Sequence, residues 1–139
     1  MKSFDYFDHS ADVGLAARGD SIRELFEAAA SGLVAWSGDA PASSTREVVC
    51  LEFSAEDPGE LLVRWLQEIV YLCQVRRLYF VECDRFDLEG WRLTARVCCI
   101  PWTDEESGCY QEIKAVTYHQ LKVEQNQRGV WSARVILDI

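Results

Sequence analysis

This chain lacks most of the features that announce a familiar kind of protein. None of its 139 residues belongs to an apolar run approaching the roughly 20 residues of a membrane-spanning helix. The opening Met-Lys-Ser-Phe-Asp has none of the apolar core of a secretory leader. No membrane segment is expected, and the chain reads as a protein kept inside the cell. There is no Cys-x-x-Cys pair among its six cysteines, Cys50, Cys73, Cys83, Cys98, Cys99 and Cys109, which argues against a zinc or disulfide framework and for reduced thiols. Cys98 and Cys99 sit in an alternating stretch and should face opposite sides of a strand. Cations are the minority charge, 14 against 23 carboxylates for a net −9, so contact with nucleic acid phosphates is disfavoured over most of the surface. There is also no Gly-rich phosphate loop, no G-x-S-x-G, no H-E-x-x-H and no Cys-His nucleophile spacing, so no complete catalytic machine is visible.

What is present suits one compact domain spanning residues 1–139. Hydrophobic residues are 49% of the chain and charged ones 27%, ordinary globular values. A chain of this length buries roughly two-thirds of its unfolded surface and needs no staple to fold. The acidic excess also suits a basic protein partner, although it equally keeps a cytosolic protein soluble.

The spacing of apolar residues sketches the elements. Phe4 and Tyr6 alternate with Ser3 and Asp5 as a short strand over 2–7, and a second strand is expected over 13–18. Ser21-Ile22-Arg23-Glu24 is a capping box, followed at helical spacing by Ile22, Leu25, Phe26, Ala29 and Leu33 to about Trp36. A loop over 37–45 leads to a strand over 46–53. Asp57-Pro58-Gly59-Glu60 opens a second helix, with Leu61, Leu62, Trp65, Leu66, Ile69 and Leu72 on its apolar face. Strands over 78–87 and 91–102 form a hairpin about Glu89-Gly90. An acidic loop over 103–108, a strand over 113–119 bent toward Val123, a turn over 126–129 and a last strand over 130–139 complete the chain. The fold class is α+β, a single domain with two amphipathic helices packed on a mostly antiparallel β-sheet.

Three places carry chemistry. Asp8-His9-Ser10-Ala11-Asp12-Val13-Gly14 puts two carboxylates around one of only two histidines, with small residues between and a glycine that would let backbone turn closely around whatever Asp12 holds. A hard-cation or phosphate site is often built this way, but so is a turn in which Asx and hydroxyl side chains bond nearby backbone. At the other end the strand pattern runs through Asp138 to Ile139, which would set the terminal carboxylate beside the Asp138 carboxylate; two such charges together call for a cation or a basic group. If this strand lies beside Asp12, the oxygen-only donor set favours calcium, magnesium or manganese over zinc. The alternative is a sheet edge with Asp138 solvated. Lys114 stands alone in the apolar run from Ile113 to His119, where alternation puts it with Val116 and Tyr118; it could counter the carboxylates, reach a phosphate, or guard an edge strand.

DHSADVG at 8–14, EIKAVTYH at 112–119 and VILDI at 135–139, in that order, resemble the signature blocks of the archease family, and the helix capped by Ser21 is similar to the one following the first block there. Ser10 stands where threonine is usual and keeps the hydroxyl. The resemblance implies an accessory protein of the cytoplasm, or of the nucleus in a eukaryote. Such a protein activates the RtcB-type RNA ligase of tRNA splicing and RNA repair, promoting its guanylylation and multiple turnover without being a ligase itself. It implies a divalent metal, calcium first with magnesium or manganese as alternatives, held by Asp12, the Asp138 side chain and the Ile139 terminal carboxylate. Lys114, Asp8 and His9 are implied parts of the same surface. From another class, a metal-dependent hydrolase or phosphotransferase would use Asp12 and Asp138 for the cation and His9 or Lys114 as acid or base. A binding module with no metal role is the third reading.

Overall fold

The structure, a computed structural model, describes residues 1–9, 12–103 and 111–139, with His9 described by its backbone alone. Eight strands and two helices follow one another as β1 (Ser3–His9), β2 (Asp12–Gly19), α1 (Ile22–Ser37), β3 (Glu47–Ser54), α2 (Pro58–Gln74), β4 (Leu78–Glu89), β5 (Arg92–Pro101), β6 (Ala115–Val116), β7 (Lys122–Gln125) and β8 (Trp131–Asp138). All pairings are antiparallel. The strands form two sheets where the sequence led us to expect one: a five-stranded sheet ordered β1-β2-β8-β6 with β7 also pairing with β8, and a three-stranded sheet ordered β3-β5-β4.

Each helix begins where its local chemistry dictates. The Ser21 hydroxyl accepts from the Glu24 amide at 3.1 Å, while the Glu24 carboxylate takes the Asp20 amide at 3.0 Å, one residue before the capping box would have it. Asp57 accepts from the Glu60 amide at 2.8 Å and Pro58 occupies the first turn, where its missing N–H costs nothing.

Both helices touch both sheets. α1 lies against β1, β2 and β8 on one side and β4 on the other, and α2 against β6 and β7 and against β3 and β4. Burial on more than one face explains why Ala28, Ala29, Ala30 and Gly32 are as buried as Leu25, Phe26 and Leu33: close approach from two sides leaves room only for small residues on part of α1. Trp65 of α2 is fully buried and donates its indole N–H to the Phe26 carbonyl at 2.9 Å, with the Phe26, Phe80 and Phe86 rings 5.6–6.3 Å apart from it or from each other.

Two local expectations change. The strand expected over 113–119 is reduced to β6, because the Gln74 side chain satisfies both the Ile113 amide, at 2.6 Å, and the Ile113 carbonyl, at 3.0 Å, in place of a neighbouring strand. A turn with Gln120 at φ 52° then separates β6 from β7. The strands flanking the first block are also longer than the spacing indicated, so Asp8, His9 and Asp12 are strand residues; Ser10 and Ala11 lie outside the described residues, as do residues 104–108 of the expected acidic loop and Cys109. The other five cysteines are free thiols: Cys73, Cys83 and Cys99 are buried, Cys98 is half-buried and Cys50 exposed. Burial pushes the Cys73 thiol up from 9.0 to about 11 and Cys99 to about 12, leaving both inert at neutral pH.

Candidate functional site

Alternation on β2 and β8 divides the five-stranded sheet into two faces. Val13, Leu15 and Ala17 pair with Leu137, Val135 and Ala133 on the side that packs against the helices. Gly14, Ala16 and Arg18 pair with Ile136, Arg134 and Ser132 on the opposite side, which no helix covers. The ladder ends at the pair Val13 and Leu137. Carried one residue further, the same register sets Asp12 opposite Asp138, with both side chains leaving on the uncovered side at about 5 Å between Cβ atoms. Both are partly buried. His9 is the partner of Asp12 across the β1–β2 ladder. The chain thus brings Asp12 and Asp138 together although 126 positions separate them, and Ile139 follows with its side chain packed toward the core.

The remaining candidates are placed differently. Asp8 pairs with Val13, so its side chain lies on the opposite face from Asp12. Lys114 joins the site through its backbone, its amide donating to the Asp138 carbonyl at 2.7 Å, and it is Ala115 that stands beside Asp138 in the ladder. Lys114 instead lines a concavity of about 320 Å³ with Val70 and Tyr71 of α2 and the Val75 that caps it, and among the described residues it forms no ion pair. Gly14 also has a different meaning from the one its position suggested. Its backbone is not in the positive-φ region, and an added Cβ would overlap the Phe7 ring. The absent side chain therefore makes room for Phe7, which pairs with Gly14 across the ladder and carries the Arg134 guanidinium 3.8 Å above its ring centre. Phe7 and Arg134 were not singled out from the sequence; the available signal was a cation alternating outward in the apolar run Ala133 to Leu137.

Chemically, the paired carboxylates offer hard oxygen donors to a cation. Among the described residues, no three His, Cys, Asp or Glu side chains stand together so as to hold a metal ion. Any cation here would need donors beyond the Asp12 and Asp138 side chains.

Comparison with known proteins adds the lineage. Residues 4–139 match the Archease protein family. The chain belongs to that family. Relatives named Protein archease include one from Pyrococcus abyssi, 31% identical over 143 residues and covering all of both chains, and one from Methanosarcina acetivorans, 34% identical over 145 residues and covering 99% of this chain and 97% of its own. Among solved structures, Protein 1598 of Methanobacterium thermoautotrophicum superimposes with a TM-score of 0.77 at 28% identity over 98% of both chains. An archease from Thermotoga maritima, described as a possible chaperone, matches with a TM-score of 0.60 at 21% identity, covering 96% of this chain and 94% of its own, and so speaks to the fold alone. The archease resemblance is therefore confirmed over residues 4–139, together with two helices on antiparallel sheets.

Proposed function

We infer that this archease-family chain is an accessory protein in tRNA processing that activates an RtcB-type RNA ligase, promoting guanylylation and repeated turnover, and performs no ligation itself. The observation that carries the reading is the β2–β8 register, whose continuation past Val13 and Leu137 would put Asp12 opposite Asp138, in a chain that belongs to the archease family.

Carboxylate oxygens are the donors a hard cation prefers. Asp12 and Asp138 would hold it with the Ile139 carboxylate, and calcium suits such oxygens best, magnesium and manganese next. When bound, the cation would supply the positive charge that offsets the facing carboxylates and leaves a site able to engage a ligand oxygen of the partner. This chain's residues do the rest: the β2–β8 ladder fixes the spacing of the two carboxylates, and the Lys114 amide orients the Asp138 backbone. The acidic surface, net −9, favours encounter with a basic RNA-handling enzyme in the cytoplasm, or in the nucleus of a eukaryotic cell.

The test is multiple-turnover RNA ligation by the cognate ligase with GTP and metal, with and without this protein, beside Asp12→Ala and Asp138→Ala checked for folding by circular dichroism. Stimulation by the wild type, lost in both folded variants, is the expected result. No stimulation by the wild type, or phosphate-ester turnover by this protein alone through the same carboxylates, would overturn the reading.

A further inference from the structure

Along β8 the uncovered face changes sign. Four residues from Asp138, about 13 Å along the strand, lies Arg134, directly opposite Lys122 of β7. Arg18 of β2 is the diagonal neighbour of Arg134, because Arg18 pairs with Ser132 and Ala16 with Arg134. Like charges directly opposed across strands are destabilising. The chain keeps this pair although carboxylates outnumber cations 23 to 14. Among the described residues, neither Arg18 nor Arg134 has a carboxylate within ion-pair distance, and only Lys122 is partly offset, by Glu124 at 3.7 Å. Short side chains, Ala16 and Ser132, form the floor between them, and the result is a cleft of about 290 Å³ with three cations, one carboxylate and one hydroxyl around it.

We propose that this cleft, bounded by Arg18, Lys122, Arg134 and Ser132, binds a phosphate group of RNA or of a nucleotide. The donors converge from three strands. A carboxylate offers its acceptor sites in one plane, whereas a phosphate offers oxygens in several directions and can accept from two guanidiniums, an ammonium and a hydroxyl at once. Arg134 is already held by its stack on Phe7, which lowers the cost of ordering it on a ligand. The anion would relieve the repulsion between Lys122 and Arg134, so the local arrangement accounts for both the cost and its compensation. The overall acidity limits the contact to this cleft, which is why net charge alone argued against it. The inference does not depend on any ligase.

The experiment measures binding to the full chain in EDTA, without ligase, of a fluorescently labelled single-stranded RNA, of GTP and of inorganic phosphate, the last two also as competitors. Arg18→Gln with Lys122→Gln is the test variant, since neither residue supports the Phe7 stack, and Arg96→Gln on the other sheet is the control. RNA affinity should fall at least about tenfold in the double variant, and the slope of log affinity against log salt should flatten by about 0.7 per cation removed. Binding of RNA but not GTP identifies the strand as the phosphate source, and binding of GTP with displacement of RNA identifies the nucleotide. No binding of any of the three at low salt, equal loss in the control, unchanged affinity in the folded double variant, or equal competition by a poly-glutamate peptide would each overturn the proposal.

Discussion

The two sheets neutralise their exposed cations to different degrees. On the three-stranded sheet each arginine meets a carboxylate: Arg96 bonds Asp84 at 2.8 Å, Arg85 bonds Asp87 at 2.6 Å, and Arg92 pairs with Glu52. On the five-stranded sheet, among the described residues, Arg18 and Arg134 stand without an ion pair beside Lys122, which Glu124 partly offsets, while Asp12 and Asp138 lie toward the other end of β2 and β8. Locally cancelled charge keeps a surface soluble without directing it toward a ligand, whereas sorted charge retains a field at each end that a ligand can answer. The difference is what leads us to propose the five-stranded sheet as the working surface.

That comparison can be broken most sharply at the carboxylate end. Asp138→Ala should lower divalent-cation affinity by more than about tenfold, since even residues that merely support metal ligands are worth that much, and isothermal titration calorimetry reads the change. A variant that binds calcium as well as the wild type would remove that end from the comparison. The next largest effect belongs to neither uncovered face. Trp65→Ala, between the sheets, should cost about 3–5 kcal/mol in urea denaturation, by cavity formation and loss of the bond to Phe26. If stability is held in that shared interior, Arg96→Gln and Arg92→Gln on the balanced face should leave the urea midpoint unchanged within error, since exposed ion pairs contribute little.

Alkaline pH sharpens the contrast between interior and surface. Burial raises Cys73 from 9.0 to about 11, Cys99 from 9.0 to about 12 and Tyr79 from 10.0 to about 12. Below pH 9 these groups are protonated in both folded and unfolded chains and do not change the balance. Above it the unfolded chain releases protons that the folded one retains, so stability should fall progressively from pH 9 to 12. Urea midpoints at pH 8, 9, 10 and 11 measure the decline, and a flat profile would contradict the burial of these groups. The smallest effect is local: Asp57→Ala removes the cap of α2 and should cost about 1 kcal/mol with no change at either end of the working face.

The helices were legible because their signals are local. Ser21 with Glu24 and Asp57 with Pro58 mark the starts, and a 3.6-residue period marks the buried stripes. The strand over 113–119 was misjudged in extent because Gln74, distant in sequence, takes the Ile113 backbone. For the same reason Gly14 read as open space beside Asp12, when the space belongs to Phe7.

The candidate site divides along the same line. Residue type determined that Asp12 and Asp138 were oxygen donors, and the alternation around Val135 and Leu137 determined which positions of the last strand face outward. The pairing of β2 with β8 was settled only when both strands packed their apolar faces on the same helical layer. Register slips by one residue exchange the two faces of a strand, so burial of Leu15 and Leu137 is what turns Asp12 and Asp138 to one side and Asp8 to the other. The sequence by itself thus determined the elements, their buried stripes and the chemistry available; the tertiary structure decided which of those groups meet, because that depends on contacts between segments more than a hundred residues apart.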